Sequence, residues 1–235
     1  MTSSMPTTRD RRTAARERER LLNSCNHFWH LEDIAGPLST RKHLLAELVE
    51  DGELRHVRRG LYWRGTKSPL GMSPPPTDAL IHELAPGPGV GPTGLYAANL
   101  LRLSTQVPRR AEVAVPARAP ESTGSVKFVT RAARKARVKA GLSPIEVAVL
   151  ESLEAWERAI EVAPAEAWSR FRELLSSGQV RADRLARAGT TEPGTVRARL
   201  RALLGAAGRS DLVSTVPEPD RRTTAAATRL VPSTV

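Results

Sequence analysis

The stretch GELRHVRRGLYWRG, residues 52–65, sets Arg55, His56, Arg58, Arg59 and Arg64 around two short apolar runs. Guanidinium groups at that density on a hairpin suit one task above others, charge-assisted hydrogen bonding to phosphate oxygens. The plainer use of the same charges is to keep an exposed β-ribbon from pairing with another chain. Upstream, Ser39, Thr40, Arg41, Lys42 and His43 open a stretch with helical periodicity. The first turns of such a helix are where side chains reach base edges and backbone N–H groups meet phosphate. Arg41 alone has a helical phase that turns it toward the apolar side.

Motifs for bond-making chemistry are missing. GVGPTG, Gly89 to Gly94, has the glycine spacing of a dinucleotide fingerprint. That fingerprint must follow a strand, whereas the preceding DALIHEL has the period of a helix. A P-loop, an H-E-x-x-H pair and a nucleophile elbow are absent. His27, His30, His43, His56 and His82 lack metal-ligand spacing. The single cysteine, Cys25, can form neither an internal disulfide nor a Cys-based zinc site, which fits a reducing compartment. The expectation is a non-enzymatic protein with no catalytic residue, no metal and no cofactor.

Periodicity gives the elements that would position the basic residues. After a polar opening, MTSSMPTT, expected to be disordered, RDRRTAARERERLL interleaves acid and base at helical spacing. A short helix around HLEDIAG stops at Gly36 and Pro37. Ser39 is placed to cap the next helix, which runs to Asp51 with Leu44, Leu45, Leu48 and Val49 on one face. LRHV and LYW then alternate as strands about the turn RRG. Three helices and a hairpin within residues 1–67 are the order of a winged helix-turn-helix, whose third helix enters the major groove while the hairpin reaches flanking phosphates. The expected DNA contacts are Ser39, Thr40, Arg41, Lys42, His43, Arg55, Arg58, Arg59 and Arg64. Winged helices also serve as protein-binding modules, which is the alternative for this unit.

SPLGMSPPPT, residues 68–77, reads as a stiff proline-rich linker. A second domain is expected over residues 78–208. It has helices at DALIHEL and TGLYAANLLRL, strands at AEVAVP and VKFVTR, and a helix over SPIEVAVLESLEAWERAI opened by a capping box of Ser143 and Glu146 with Pro144 at its first position. Two further amphipathic helices carry Trp168, Phe171, Leu174 and Leu175, then Val196, Leu200, Leu203 and Leu204. Residues 209–235 are polar and expected to be disordered. The fold class is α+β, a winged helix-turn-helix followed by a mixed α/β domain with several helices and a small sheet.

The net charge of +11 points to a polyanionic partner rather than to a fold. Residues 1–67 hold 13 Lys and Arg against 9 Asp and Glu, and the segment from Arg102 to Lys139 holds ten basic residues against Glu112 and Glu121. Within that segment Arg109, Arg110, Lys127, Arg131, Arg134, Lys135, Arg137 and Lys139 are expected to form a basic patch for RNA, DNA or an acidic protein. The alternative is an Arg-rich solvated loop. Arg181, Arg184 and Arg187 could extend the patch as one helical face. No apolar run approaches the roughly 20 residues of a membrane span, and a signal-peptide core is missing, so a cytoplasmic chain is expected.

Two stretches, LAELVEDGELRHVRRGLYWRG and PTGLYAANLLRLSTQVPRRAEVAVP, resemble the AbiEi family, the antitoxin half of bacterial abortive-infection (type IV) toxin-antitoxin pairs. The similarity spans roughly residues 25–205, and its second stretch is the more specific. The resemblance implies an N-terminal winged helix that represses the pair's own promoter through inverted repeats in double-stranded DNA, and a C-terminal domain that neutralises a nucleotidyltransferase-like toxin. It places Arg58, Arg59, Gly60 and Tyr62 in the wing. It places Gly94, Ala98, Asn99, Leu103, Thr105, Gln106 and Pro108 in the C-terminal domain's signature helix and turn. Family sequences often have Gly where this chain has Arg102, so a different turn is expected there. The rival expectation is a stand-alone winged-helix regulator whose second domain binds a ligand or RNA.

Overall fold

The computed structural model describes residues 8–231, so the disorder expected at residues 1–7 and 232–235 lies outside the described residues. The chain forms two compact units, Met1–Glu83 and Leu84–Val235.

In the first unit α1 (Thr8–Leu22) leads to β1 (His27–His30), a 3-10 turn at Leu31–Asp33, α2 (Leu38–Glu50), β2 (Arg55–Arg58) and β3 (Leu61–Arg64). The three strands form one antiparallel sheet in the order β1-β3-β2. This is a winged helix-turn-helix whose middle helix is reduced to a single 3-10 turn. The short helix expected around HLEDIAG is therefore corrected: HFWH pairs with β3, from His27 opposite Arg64 to His30 opposite Leu61. Only three residues then remain before the loop at Gly36 and Pro37. Ser39 does not cap α2 either. Pro37, with φ −60° and ψ 147°, supplies the extended N-cap conformation, and Ser39 falls inside the first turn with no capping bond. Leu44, Leu45 and Leu48 of α2 pack with Leu21, Trp29, Ile34 and Leu54 as the core of this unit.

The expected linker is partly folded. β4 (Lys67–Ser68) and β5 (Gly71–Met72) make a second tight hairpin, and Met72 is buried. The Met72 sulfur accepts from the Gly65 amide at 3.1 Å, which ties the hairpin to the end of β3. α3 (Thr77–Leu84) follows the prolines, and the boundary between units falls after Glu83 rather than within residues 68–77.

The second unit starts with β6 (Gly91–Pro92), α4 (Gly94–Leu100), β7 (Ala111–Val115) and β8 (Val126–Thr130). β6 pairs antiparallel with β7, and β7 runs parallel to β8. The loop between β7 and β8 folds back on the sheet. Ser122 and Thr123 hydroxyls accept from the Phe128 and Val126 amides, both at 3.1 Å, so those strand donors are not left open to another chain. Then come α5 (Ala136–Lys139), α6 (Pro144–Glu154), α7 (Trp156–Ala159), α8 (Pro164–Ser176), α9 (Ala182–Ala188), α10 (Gly194–Ala206), α11 (Ser210–Val213) and α12 (Arg221–Thr228). The capping box of Ser143 and Glu146 opens α6 as expected. The single helix expected over residues 143–160 instead breaks at Ala155. Residues Val147 to Leu153 are buried on every side, with Trp156, Trp168, Phe171 and Leu200 in the same core.

Residues 209–231, expected to be disordered, carry α11 and α12. Val216 and Ala227 are buried, and α12 lies against α10. Arginines hold this segment where large apolar side chains are lacking: Arg199 Nε donates to the Ala227 carbonyl at 3.0 Å, and Arg201 to those of Val213 and Val216 at 2.8 and 2.6 Å. Composition reveals apolar content but not carbonyls that arginines can bind.

Candidate nucleic-acid interface

The register of β2 on β3 slips between His56, opposite Tyr62, and Arg58, opposite Leu61, which leaves Val57 as an extra residue. Such a bulge bends and twists the ribbon. Arg59 and Gly60 close the hairpin, and Gly60 takes φ +77°, a conformation other residues adopt at a cost. The tip therefore presents Arg58 and Arg59. Across from it, the first turns of α2 expose Ser39, Lys42 and His43, with Thr40 half-buried. Between tip and helix lies an open cleft of about 710 Å³, lined by Lys42, Arg59, His56 and Tyr62 together with Leu38 and Glu32. Lys42, Arg58 and Arg59 have no hydrogen-bond or ion-pair partner among the described residues.

Three expected contacts sit elsewhere. Arg41 Nη1 donates to the Leu31 carbonyl at 3.1 Å, so this side chain pins the 3-10 turn. Arg64 is 14% exposed, donates to the carbonyls of Glu53 and Leu22 at 3.2 and 3.4 Å, and pairs with the Glu53 carboxylate at 3.3 Å. Arg55 is exposed but donates to the Met72 carbonyl at 3.1 Å. Arg41 and Arg64 thus hold the fold together, and Arg55 is half-occupied by the second hairpin. His43 lies 3.5 Å from Glu47, one turn on. Leu38, half exposed at the head of α2, and His56, whose ring meets Tyr62 edge-on at 5.4 Å, line the cleft without being among the expected contacts. An apolar residue just before a polar cluster was the only signal for Leu38.

Of the basic patch expected in the second unit, Arg109, Arg110, Lys127, Lys135 and Lys139 are exposed, whereas three residues are drawn into an ion network. Arg131, Arg134 and Arg137 turn inward on Glu151, which is 1% exposed. Arg131 grips Glu151 with two bonds of 3.1 and 3.0 Å, and Arg134 and Arg137 each reach its Oε1 at 2.7 Å. Arg134 also binds Glu154 at 2.6 Å, and Arg137 forks onto the buried Glu192 at 2.7 and 2.9 Å. The Thr93 hydroxyl donates to Glu151 as well. Burial alone would push the Glu151 carboxyl up; the bond from Arg131, the charge of Arg137 and the Thr93 hydroxyl overcome it and hold the group down at about 2. Lys127 pairs with Glu112 at 2.8 Å, and Arg110 donates to the carbonyls of Thr123 and Val126. The side chains of Arg109, Lys135 and Lys139 are exposed and have no partner among the described residues.

Other residues singled out in this unit are placed by packing. A Cβ on Gly91 would lie 2.7 Å from the Pro144 carbonyl and from Val147, so this glycine lets β6 approach α6. Ala98 and Leu103 are fully buried, and the Thr105 amide donates to Glu161 at 3.0 Å. Arg102 adopts φ +59°. The Leu103 amide reaches the Ala98 carbonyl at 2.7 Å and the Arg102 amide that of Asn99 at 3.0 Å, the paired bonds of a Schellman C-cap. The different turn expected for lack of glycine is not found: the arginine takes glycine's conformation. A half-open polar cleft of about 300 Å³ adjoins the ion network between Thr93, Lys127, Glu154 and Arg158.

Among the described residues there is no cluster of three metal-ligating side chains, and no helix is long and apolar enough to cross a membrane. The chain is similar to the crystal structure of the Rv2827c protein from Mycobacterium tuberculosis, at 15% identity and a TM-score of 0.49, over 100% of this chain and 85% of that one. No protein-family model and no curated protein matches it.

Proposed function

We propose that the chain is a DNA-binding antitoxin of the AbiEi type that represses its own promoter. The first unit inserts α2 into the major groove with Ser39, Thr40, Lys42 and His43 facing bases, while Arg58 and Arg59 rest on flanking phosphates; two copies occupy an inverted repeat. The observation that carries this reading is the division of labour among its cations. Arg41 and Arg64 are tied to backbone carbonyls, whereas Lys42 and Arg59 line one cleft and, like Arg58 beside them on the hairpin, their side chains have no partner among the described residues. Replacing Arg58 and Arg59 by Ala should lower the slope of log affinity against log salt on the upstream DNA by about 1.8, at about 0.9 per lost phosphate contact. An unchanged slope excludes the wing from the interface.

The antitoxin role rests on the family resemblance of residues 25–205, and no catalytic step is assigned to the chain. Co-expression with the neighbouring nucleotidyltransferase-like toxin tests it: growth should be rescued, and the second unit should account for the rescue. A ligand-sensing regulator is the second reading, favoured by the polar cleft of about 300 Å³ beside Thr93 and Arg158. A gene neighbourhood without a toxin would support it.

A further inference from the structure

The charge of the chain is concentrated away from the winged helix. Residues 1–83 carry 13 Lys and Arg against 11 Asp and Glu, and residues 84–235 carry 23 against 14, so the second unit holds +9 of the +11. The charges of Arg131, Arg134 and Arg137 are met by Glu151, Glu154 and Glu192. The surplus lies elsewhere, and part of it gathers at one place.

α9, the turn through residues 189–193 and α10 pack as a helix-turn-helix. Leu185, Ala186, Gly189, Val196 and Arg199 are buried at its inner positions. Two other elements meet the turn. The Ala136 amide donates to Thr191 Oγ1 at 3.3 Å, which brings up the start of α5. A Cβ on Gly194 would lie 3.1 Å from Thr223 and 3.6 Å from Pro219, which brings up the first turn of α12. Lys135 is thereby brought to Thr191, and Arg221 and Arg222, just before Thr223, toward Gly194, on a turn where Thr191 and Thr195 are exposed and Arg197 is half-buried. Among the described residues none of these four side chains has an ion-pair or hydrogen-bond partner, and Arg197 Nε is buried without one. The nearby carboxylates are occupied, Glu192 by Arg137 and Asp220 by Thr223.

We propose that this surface is a second contact for the sugar-phosphate backbone of duplex DNA, held in addition to the winged helix and resting on that DNA-binding reading for its choice of partner. The groups it offers are mainly hydrogen-bond donors, cationic or hydroxyl, and the one exposed large apolar side chain on these elements, Val138 on α5, is too little to anchor a protein partner. Ala198 and Arg199, on α10, are buried and lie along α12, so this helix cannot enter a groove and the contact is independent of sequence.

The test uses the full chain in four forms: wild type, Lys135→Ala/Arg221→Ala/Arg222→Ala, Lys42→Ala/Arg58→Ala/Arg59→Ala, and both sets together. Fluorescence anisotropy on random-sequence duplex is followed against salt. The first set should lower the slope of log affinity against log salt by about 2.7, in the wild type and in the winged-helix background alike, at about 0.9 per phosphate contact. All three side chains are exposed, so thermal unfolding should not move and serves as the control for folding. A slope unmoved in both backgrounds overturns the proposal, as does loss of affinity confined to single-stranded RNA or to an acidic protein. Failure of the winged-helix reading would show separately, as a wild-type slope indifferent to the second set.

Discussion

Arg58 and Arg59 on the wing and Arg131, Arg134 and Arg137 in the second unit both belong to Arg-rich stretches of the sequence, yet they have opposite fates. The wing pair lies at the β2–β3 hairpin and forms no ion pair among the described residues, so its charge is left to solvent. The other three follow β8 and pass along α6, a helix buried on all sides that carries Glu151 at its centre. Charge on a loop is a surface property only when the neighbouring element offers nothing to bind it. A buried carboxylate with three guanidinium partners is the stronger claim on an arginine, because either side left alone in the interior would be uncompensated.

The sharpest way to break this contrast is Glu151→Gln. It should cost about 3–5 kcal/mol in chemical denaturation, the price of a buried ion pair losing one member, while Arg58→Ala with Arg59→Ala should stay within about 0.5 kcal/mol of wild type. A small effect at Glu151 would mean that these arginines are free to act outside. Acid supplies a second probe. The Glu151 carboxyl sits at about 2 in the folded chain against an ordinary 4.5, so its contribution, about 3 kcal/mol, is complete above the ordinary value and is lost as pH falls toward 2. Tryptophan fluorescence from Trp156 and Trp168 should report that loss. A melting temperature flat from pH 5 to about 2 would contradict the linkage.

Within the first unit, Arg64→Ala should destabilise by about 1–3 kcal/mol, because it strips bonds from two half-buried carbonyls and breaks the ion pair with Glu53, and should leave the salt slope of DNA binding unchanged. Arg59→Ala should do the reverse, and identical behaviour of the two would erase the distinction between them. The smallest effect is expected at the C-cap of α4: Arg102→Gly relieves a left-handed residue and should raise stability by about 1 kcal/mol, read as a higher melting temperature.

What the sequence made legible follows from local physics. Leu44, Leu45 and Leu48 repeat at helical spacing, Ser143 and Glu146 spell a capping box, and AEVAV alternates, so α2, α6 and β7 could be placed before any coordinates. What stayed hidden depends on partners distant along the chain. β1 is four residues, two of them histidine, and becomes a strand only because Leu61–Arg64 is there to pair with it. Arg64 reads as one more basic residue of the wing until Glu53 and the Leu22 carbonyl are found beside it. Glu151, 14 to 20 residues along the chain from the arginines that bind it, carries no local mark of its role in the ion network. The resemblance gave the order of domains but not which arginines remain available.

The helical end of the chain bears on how the protein can be divided for study. Hydropathy invites a cut at Gly208, which would remove Val216 and Ala227 from α10 and leave Arg199 without the carbonyl it holds at 3.0 Å. A second-unit fragment should therefore begin at Leu84 and continue at least to Val231, and a shorter piece that fails to rescue growth would report damage to its own packing rather than the absence of activity.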